Sequence, residues 1–445
     1  MQFLDIYDFI LTPVYILLFY FIVVLKAKKY SYPIRKYFVM GFFLHMLGSI
    51  LYCLVIIFYY EYGDSLLFYQ GGTFIRGIIS ATGDPFSPFI MSGNELVKIS
   101  GDIGNGDLVA PMSIGTNSNL VIMKISAILS YLCFNSYLVI SLFFGLFAFT
   151  GLWKLYKTFY ALLSEGSEYL LAIFVLFVPS ICFWGSGLIK DSICLGCLGF
   201  TVYYLYYIFI KKEFRYRQII FLIIFLYFMF LIKFYLVICL ALAVGLSYVK
   251  HLLYRNKRNI LKLAILLALI GVAAVGLLIV FSNSLNDIMQ GFVADIQTFQ
   301  YAYSSLGEDL NGSGFELKNL DFSVAGIFLG APEAIFRTLF RPFLWEAGKP
   351  IIFLSAFESG FILFATIYLL IRTRFIRFFR YILNDPYIFF CFILSISLSV
   401  IVGLTTFNFG TMVRYRLPVL PFYFFMLVSI YLKNKAYKSS GSNIK

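Results

Sequence analysis

The sequence predicts an all-α, polytopic membrane protein, and three observations predict it. Apolar side chains make up 61% of the 445 residues, and charged ones only 13%. Several apolar runs reach or approach the roughly 20 residues that cross a bilayer as a helix. The basic residues collect in short clusters between those runs, as they do in cytoplasmic loops. The net charge of +13 therefore reports membrane orientation, and nucleic acid is not an expected partner.

The first apolar run, 9–25, follows Asp5 and Asp8 rather than lysine or arginine. No small-residue cleavage site succeeds it, so it reads as a retained span and not as a signal peptide. A second span, 38–60, leads into a polar stretch, 61–136. Between Gly83 and Thr116 that stretch is rich in turn formers. A loop of such length in a compact protein is usually functional. The apolar segment 122–133 within it is short for a span and reads as a helix lying at the interface.

Further spans follow at 137–153, 169–183 and 192–210. Residues 218–249 begin and end beside basic clusters, so they are expected to fold as a hairpin of two spans, 218–232 and 234–249, with Lys233 at the outer turn. A span at 263–281 opens a second long loop, 282–350, and spans at 351–371, 387–404 and 417–432 complete the set. The expectation is thus about 11 transmembrane helices in a single domain, 1–436, with two large outer loops containing interfacial helices. Residues 437–445 read as a disordered cytoplasmic tail. Six basic clusters, the first starting at Lys26 and the last at Lys433, hold 24 of the 35 lysines and arginines. They place the C-terminus inside and the N-terminus outside, in a bacterial inner (plasma) membrane.

All seven cysteines lie in apolar segments, so disulfides are not expected. Cys194-Leu-Gly-Cys197 has no second pair, and His45 and His251 are far apart, so no zinc or histidine metal motif is present. Asp64, Asp84, Asp102 and Asp107 carry enough oxygens for a divalent ion, which leaves a metal possible; no other cofactor is implied.

Four features carry candidate chemistry. Asp64 lies in Glu61-Tyr-Gly-Asp-Ser-Leu-Leu-Phe-Tyr69, where hydrocarbon gives way to water, and is the candidate catalytic base. The plainer reading is a helix cap. Lys190 and Asp191 follow a glycine-bearing turn behind Trp184; plainly read, this is membrane anchoring by an interfacial Trp and a snorkelling Lys. Arg337 and Arg341, spaced i, i+4 and followed by Trp345 and Glu346, suit phosphate oxygens, or else form an amphipathic interfacial helix. Arg414 and Arg416 fill the turn before Pro418 and read as a second phosphate site, or as charges that neutralise the acids of the first loop. Together these groups would serve chemistry on a lipid-linked phosphate sugar: a carboxylate deprotonates an acceptor hydroxyl while cations stabilise the leaving phosphate.

A Gly-Asp-x-x-x-x-Tyr run, Gly63 to Tyr69, directly after a span and opening a long outer loop, resembles the GT-C superfamily of integral-membrane glycosyltransferases. The resemblance covers the layout of most of the chain. It implies a polyprenyl-phosphate-linked sugar donor, a cell-envelope glycan or lipid acceptor, and the catalytic role for Asp64. One extra span precedes the acid-bearing loop, a departure from the commonest pattern. Span number, size and arginine-bearing outer loops also resemble polysaccharide polymerases of the O-antigen or capsule type. A lipid-linked oligosaccharide flippase or transporter is the third reading; it calls for broken helices or polar groups at mid-membrane.

Overall fold

The computed structural model describes residues 4–102, 114, 117–163, 166–255, 324–406 and 408–442. Among them the protein is all-helical, with seven helices long and apolar enough to cross a membrane. An eighth candidate is a pair, Phe409–Tyr415 and Leu420–Ser439, bent by 65°. The expected span 263–281, most of the 282–350 loop and Asp107 lie outside the described residues. The chain forms two compact units, Met1–Val237 and Ile238–Lys445. No linker or composition shift marks that division in the sequence, because it falls inside one apolar helix.

The first unit opens with α1 (Ile6–Ala27) and α2 (Ile34–Val55), the latter continued by a π-helical turn to Tyr60. The described residues of the 61–136 loop are largely helical: α3 (Asp64–Thr82), α4 (Ser87–Ile90), α5 (Gly93–Asp102) and α6 (Asn117–Leu132). α6 packs along α3, where Gly71 and Gly72 admit the Met123 and Ser126 side chains. α7 (Tyr137–Leu162) and α10 (Lys190–Leu205) are long buried helices.

Between them, the expected span 169–183 is broken. α8 (Glu168–Leu171) and a π-helical turn stop at Phe177, Val178 is extended, and α9 (Pro179–Trp184) starts afresh. The residue before a proline is pushed off helical backbone, which accounts for the break. α11 (Tyr216–Arg255) runs on where a hairpin is expected, yet Lys233 in its middle is non-helical (φ −145°, ψ 79°). At ~1.5 Å per residue the 35 membrane-competent residues of α11 would reach ~52 Å, well beyond a ~30 Å hydrocarbon core. The break divides it into arms of single-crossing length.

Two devices fix this unit. Asp8 of α1, 3% exposed, accepts the Leu138 N–H at 3.2 Å and the Ser136 hydroxyl; Ser136 itself caps α7 by accepting from Val139 N–H at 3.2 Å. A carboxylate is stabilising at a helix N-terminus. α7 and α10 touch backbone to backbone: a Cβ on Gly151 would fall on Gly196, and one on Gly199 on the Gly151 carbonyl. Small residues allow such approaches in membrane bundles. Gly199→Val is expected to cost about 1–3 kcal/mol through overpacking. Gly245→Ala, which meets open space, is expected to leave stability unchanged. Thermal unfolding in detergent checks both.

The second unit contains α12 (Val324–Phe340), α13 (Pro350–Thr373), α14 (Phe375–Asn384), α15 (Pro386–Thr405), α16 (Phe409–Tyr415) and α17 (Leu420–Ser442). Ile352, Val402, Phe409 and Met412 form a small core. Asp385 caps α15 by accepting the Tyr387 and Ile388 N–H groups at 2.8 and 3.1 Å, and its other oxygen meets Lys433 at 2.9 Å. α17 stays helical to Ser442, so the tail expected to be disordered from 437 is helical that far. Arg377 of α14 lies over the Tyr437 ring at 4.3 Å and holds it.

Candidate functional site

In the first unit, Asp64 is the first residue of α3 and is exposed. Glu61 (φ 60°) closes the end of the preceding span, and Gly63 (φ 144°) turns the chain through a conformation that glycine holds readily. The Gly-Asp pair thus places an acid at a helix N-terminus, where the dipole favours negative charge. Lys190 opens α10, half-buried, and donates to Ser118 Oγ of α6 at 2.8 Å. The strongest charge acting on it is the Asp64 carboxylate, followed by Lys233 and Asp191. Asp191 is 1% exposed and pairs with Lys233, itself 7% exposed. Lys233 is therefore not a solvated turn residue: the ammonium turns inward because Asp191 is there to receive it. The turn before Lys190 is fixed by Ser192 Oγ, which donates to the Gly187 carbonyl at 2.6 Å. His45, which sequence reasoning missed, supports it from α2, with Nδ1 2.8 Å from Ser186 Oγ.

Four charged groups thus gather at one end of the first unit: an exposed acid, a half-buried ammonium and a closed ion pair behind them. Tyr69 does not join them. Five residues along a helix is about 140° around it. The Tyr69 hydroxyl donates to the Asn135 carbonyl at 2.8 Å and accepts from Asn135 Nδ2 at 3.1 Å. Burial pushes this phenol up to about 12, so Tyr69 remains a hydrogen-bond donor at ordinary pH.

In the second unit, the arginines are matched by acids of their own. α12 ends at Phe340 because Arg341 precedes Pro342, so Arg337 and Arg341 do not share a helix face. Arg337, buried, pairs with Glu333. Arg341 grips Glu346 with two nitrogens, Nε at 3.0 Å from Oε2, and its guanidinium lies 5.1 Å from the Phe409 ring. Trp345 stands 80% exposed, stacked on Phe343.

Arg416, expected in an open turn, is fully buried at the bend between α16 and α17. It donates to the Arg341 carbonyl at 3.1 Å, Ser359 Oγ at 2.7 Å and Glu358 Oε1 at 3.3 Å. A guanidinium enters an interior when an acid and hydrogen-bond acceptors wait there. Arg414, in the last turn of α16, is half-buried. The missed signal was Glu358, the sole acid of the 350–373 apolar run. An ionisable residue inside a span asks for a partner.

Among the described residues no three His, Cys, Asp or Glu side chains gather as metal ligands. Asp84 accepts the Phe86 and Ser87 N–H groups at 2.9 and 3.2 Å, which holds its carboxyl below the usual range. Asp102 ends α5. Asp64, Asp84 and Asp102 therefore form no shared cation position in this structure.

No protein-family model matches the chain, and no curated protein or solved structure matches it.

Proposed function

We propose that the protein is a GT-C-like integral-membrane glycosyltransferase. It moves a sugar from a polyprenyl-phosphate-linked donor to a cell-envelope glycan or lipid acceptor at the outer face of a bacterial inner membrane. The observation that carries this reading is an exposed carboxylate, Asp64, beside a half-buried ammonium, Lys190, where membrane helices end. Asp64 takes the proton of the acceptor hydroxyl as its oxygen bonds to the anomeric carbon. The bond from that carbon to the donor phosphate breaks, and the phosphate leaves with the electron pair, stabilised by Lys190. Arg337, Arg341 and Arg416, matched by acids, act as scaffolding, with Glu346. Asp191 positions Lys190 from behind.

In this reading there are about 11 spans, with the N-terminus outside and the C-terminus cytoplasmic. The Lys233–Asp191 pair supports counting α11 as two arms, because it brings the break to the end of the unit where α10 begins. A cysteine at exposed Ser92 is expected to label from outside, and one at exposed Ser439 from inside alone. The seven native cysteines are buried and add little background. The reverse pattern would remove Asp64 from the donor's side.

The function itself is tested with purified protein in liposomes carrying polyprenyl-phosphate-linked sugars and an acceptor glycan. Release of polyprenyl phosphate with growth of the glycan is expected; a ladder of repeated additions would specify a polymerase. Intact donor crossing the bilayer without release would overturn transfer in favour of a transporter. The transporter reading has its own support, in two buried charges at broken helices: Lys233 at the break in α11 and Arg416 at the bend between α16 and α17.

A further inference from the structure

The other end of the first unit, where α1 and α7 finish, carries charge that the proposed chemistry does not use. Lys154 and Lys157 stand on the last turns of α7, both half-buried, and Lys26 ends α1. The two α7 ammonium groups are within hydrogen-bond reach of one another, and Lys26 adds its charge to Lys154. Aromatic faces enclose them. Lys154 Nζ is 4.2 Å from the Tyr203 centroid; Lys157 Nζ is 5.2 Å from the same ring and 5.8 Å from Tyr30. The enclosure is rigid, since Trp153 Nε1 donates to the Tyr30 hydroxyl at 2.9 Å.

Among the described residues no carboxylate pairs with Lys154 or Lys157. Glu168, the nearby acid, accepts from the Tyr160 hydroxyl instead, at 3.3 Å. Like charges this close repel, and partial burial strips away the water that would screen them. Ring faces attract each ammonium but do not neutralise the pair. A bound anion does.

We infer that Lys154 and Lys157, with Tyr30 and Tyr203, form a site for the phosphate of an anionic phospholipid headgroup. A lipid suits the place better than a soluble anion. The ammonium groups end a membrane-competent helix, at headgroup depth, and Phe21, Ile22 and Leu25 are exposed just before Lys26 to meet an acyl chain. Basic pockets between membrane helices take anionic headgroups in this way.

The full chain, in neutral detergent, is titrated with phosphatidylglycerol, phosphatidylcholine and inorganic phosphate, with binding followed by native mass spectrometry. The wild type is expected to prefer phosphatidylglycerol by about tenfold, and millimolar phosphate is expected not to displace it. Lys154→Gln/Lys157→Gln is expected to lose the preference. Lys211→Gln/Lys212→Gln, which removes two exposed lysines of a neighbouring loop, is expected to keep it. Should the first double variant fail to fold, Lys157→Gln alone is expected to weaken the preference severalfold. A wild type without preference, a Lys154→Gln/Lys157→Gln or folded Lys157→Gln protein that retains it in full, or displacement by inorganic phosphate overturns the lipid site.

Discussion

Asp64→Asn protein is expected to insert, purify at normal yield and bind donor, while transferring sugar slower by on the order of a hundredfold or more. The substitution keeps the shape of the side chain and removes its basicity. Asp64 is exposed in the first turn of α3, so folding depends little on its charge. Losing a carboxylate at a helix N-terminus costs about 0.3–1 kcal/mol at an exposed site. Asn also serves nearly as well at helix starts. A stability loss therefore cannot imitate the expected loss of rate. Lys190→Gln complements the test: under the proposed reaction it should weaken donor binding and slow transfer together, since there the ammonium would meet the phosphate both before and after it leaves. Wild-type transfer in Asp64→Asn would remove Asp64 as the base and shift weight to the transporter reading.

Arg416→Met is expected to lower unfolding stability by about 3–5 kcal/mol, because it removes the fully buried half of the Arg416–Glu358 ion pair. Glu358→Gln should cost a comparable amount by taking the acid from a buried guanidinium that otherwise donates to the Arg341 and Ser355 carbonyls and to Ser359 Oγ. The double variant Arg416→Met/Glu358→Gln should recover much of both losses, since both halves of the pair are removed together. Unfolding temperatures of the four proteins give the coupling. Donor affinity in the folded double variant then decides the role: unchanged affinity assigns Arg416 to scaffolding. A stable Arg416→Lys protein that cannot bind donor would return it to the phosphate site.

Much of the membrane layout was legible because span length and basic clusters are one-dimensional signals. Seven helices stand where apolar runs predict crossings, and α11 breaks at Lys233, the residue that charge parity singled out. The break at Val178-Pro179 was legible too, in the proline, but an apolar run conceals it from hydropathy. Asp64 reads in the sequence as a boundary acid or a helix cap, and it stands in the first turn of α3 with Gly63 as the residue before it. The role of Tyr69 was not legible, since a motif on paper ignores the 3.6-residue period that turns it to another face. The partners of the arginines stayed hidden for a different reason. Their acids lie close in the chain, as Glu333 and Glu346 do, or 58 positions away, as Glu358 does from Arg416. Counting charge by membrane side cannot reveal which of them fold against each other.

Asp8 leaves the ribosome 128 residues before Ser136, the hydroxyl that will meet it. At roughly 5–20 residues per second, that interval lasts on the order of ten seconds. Until α7 is made, α1 enters the bilayer without the partners that later enclose its carboxylate, and among the described residues 22% of its apolar window is buried against protein. Its first turn must therefore wait at the water's edge. The arrival of residues 136–138 gives that turn its partners, so the first turn of α1 is threaded early and pinned late, after the rest of the helix can already pack on α2.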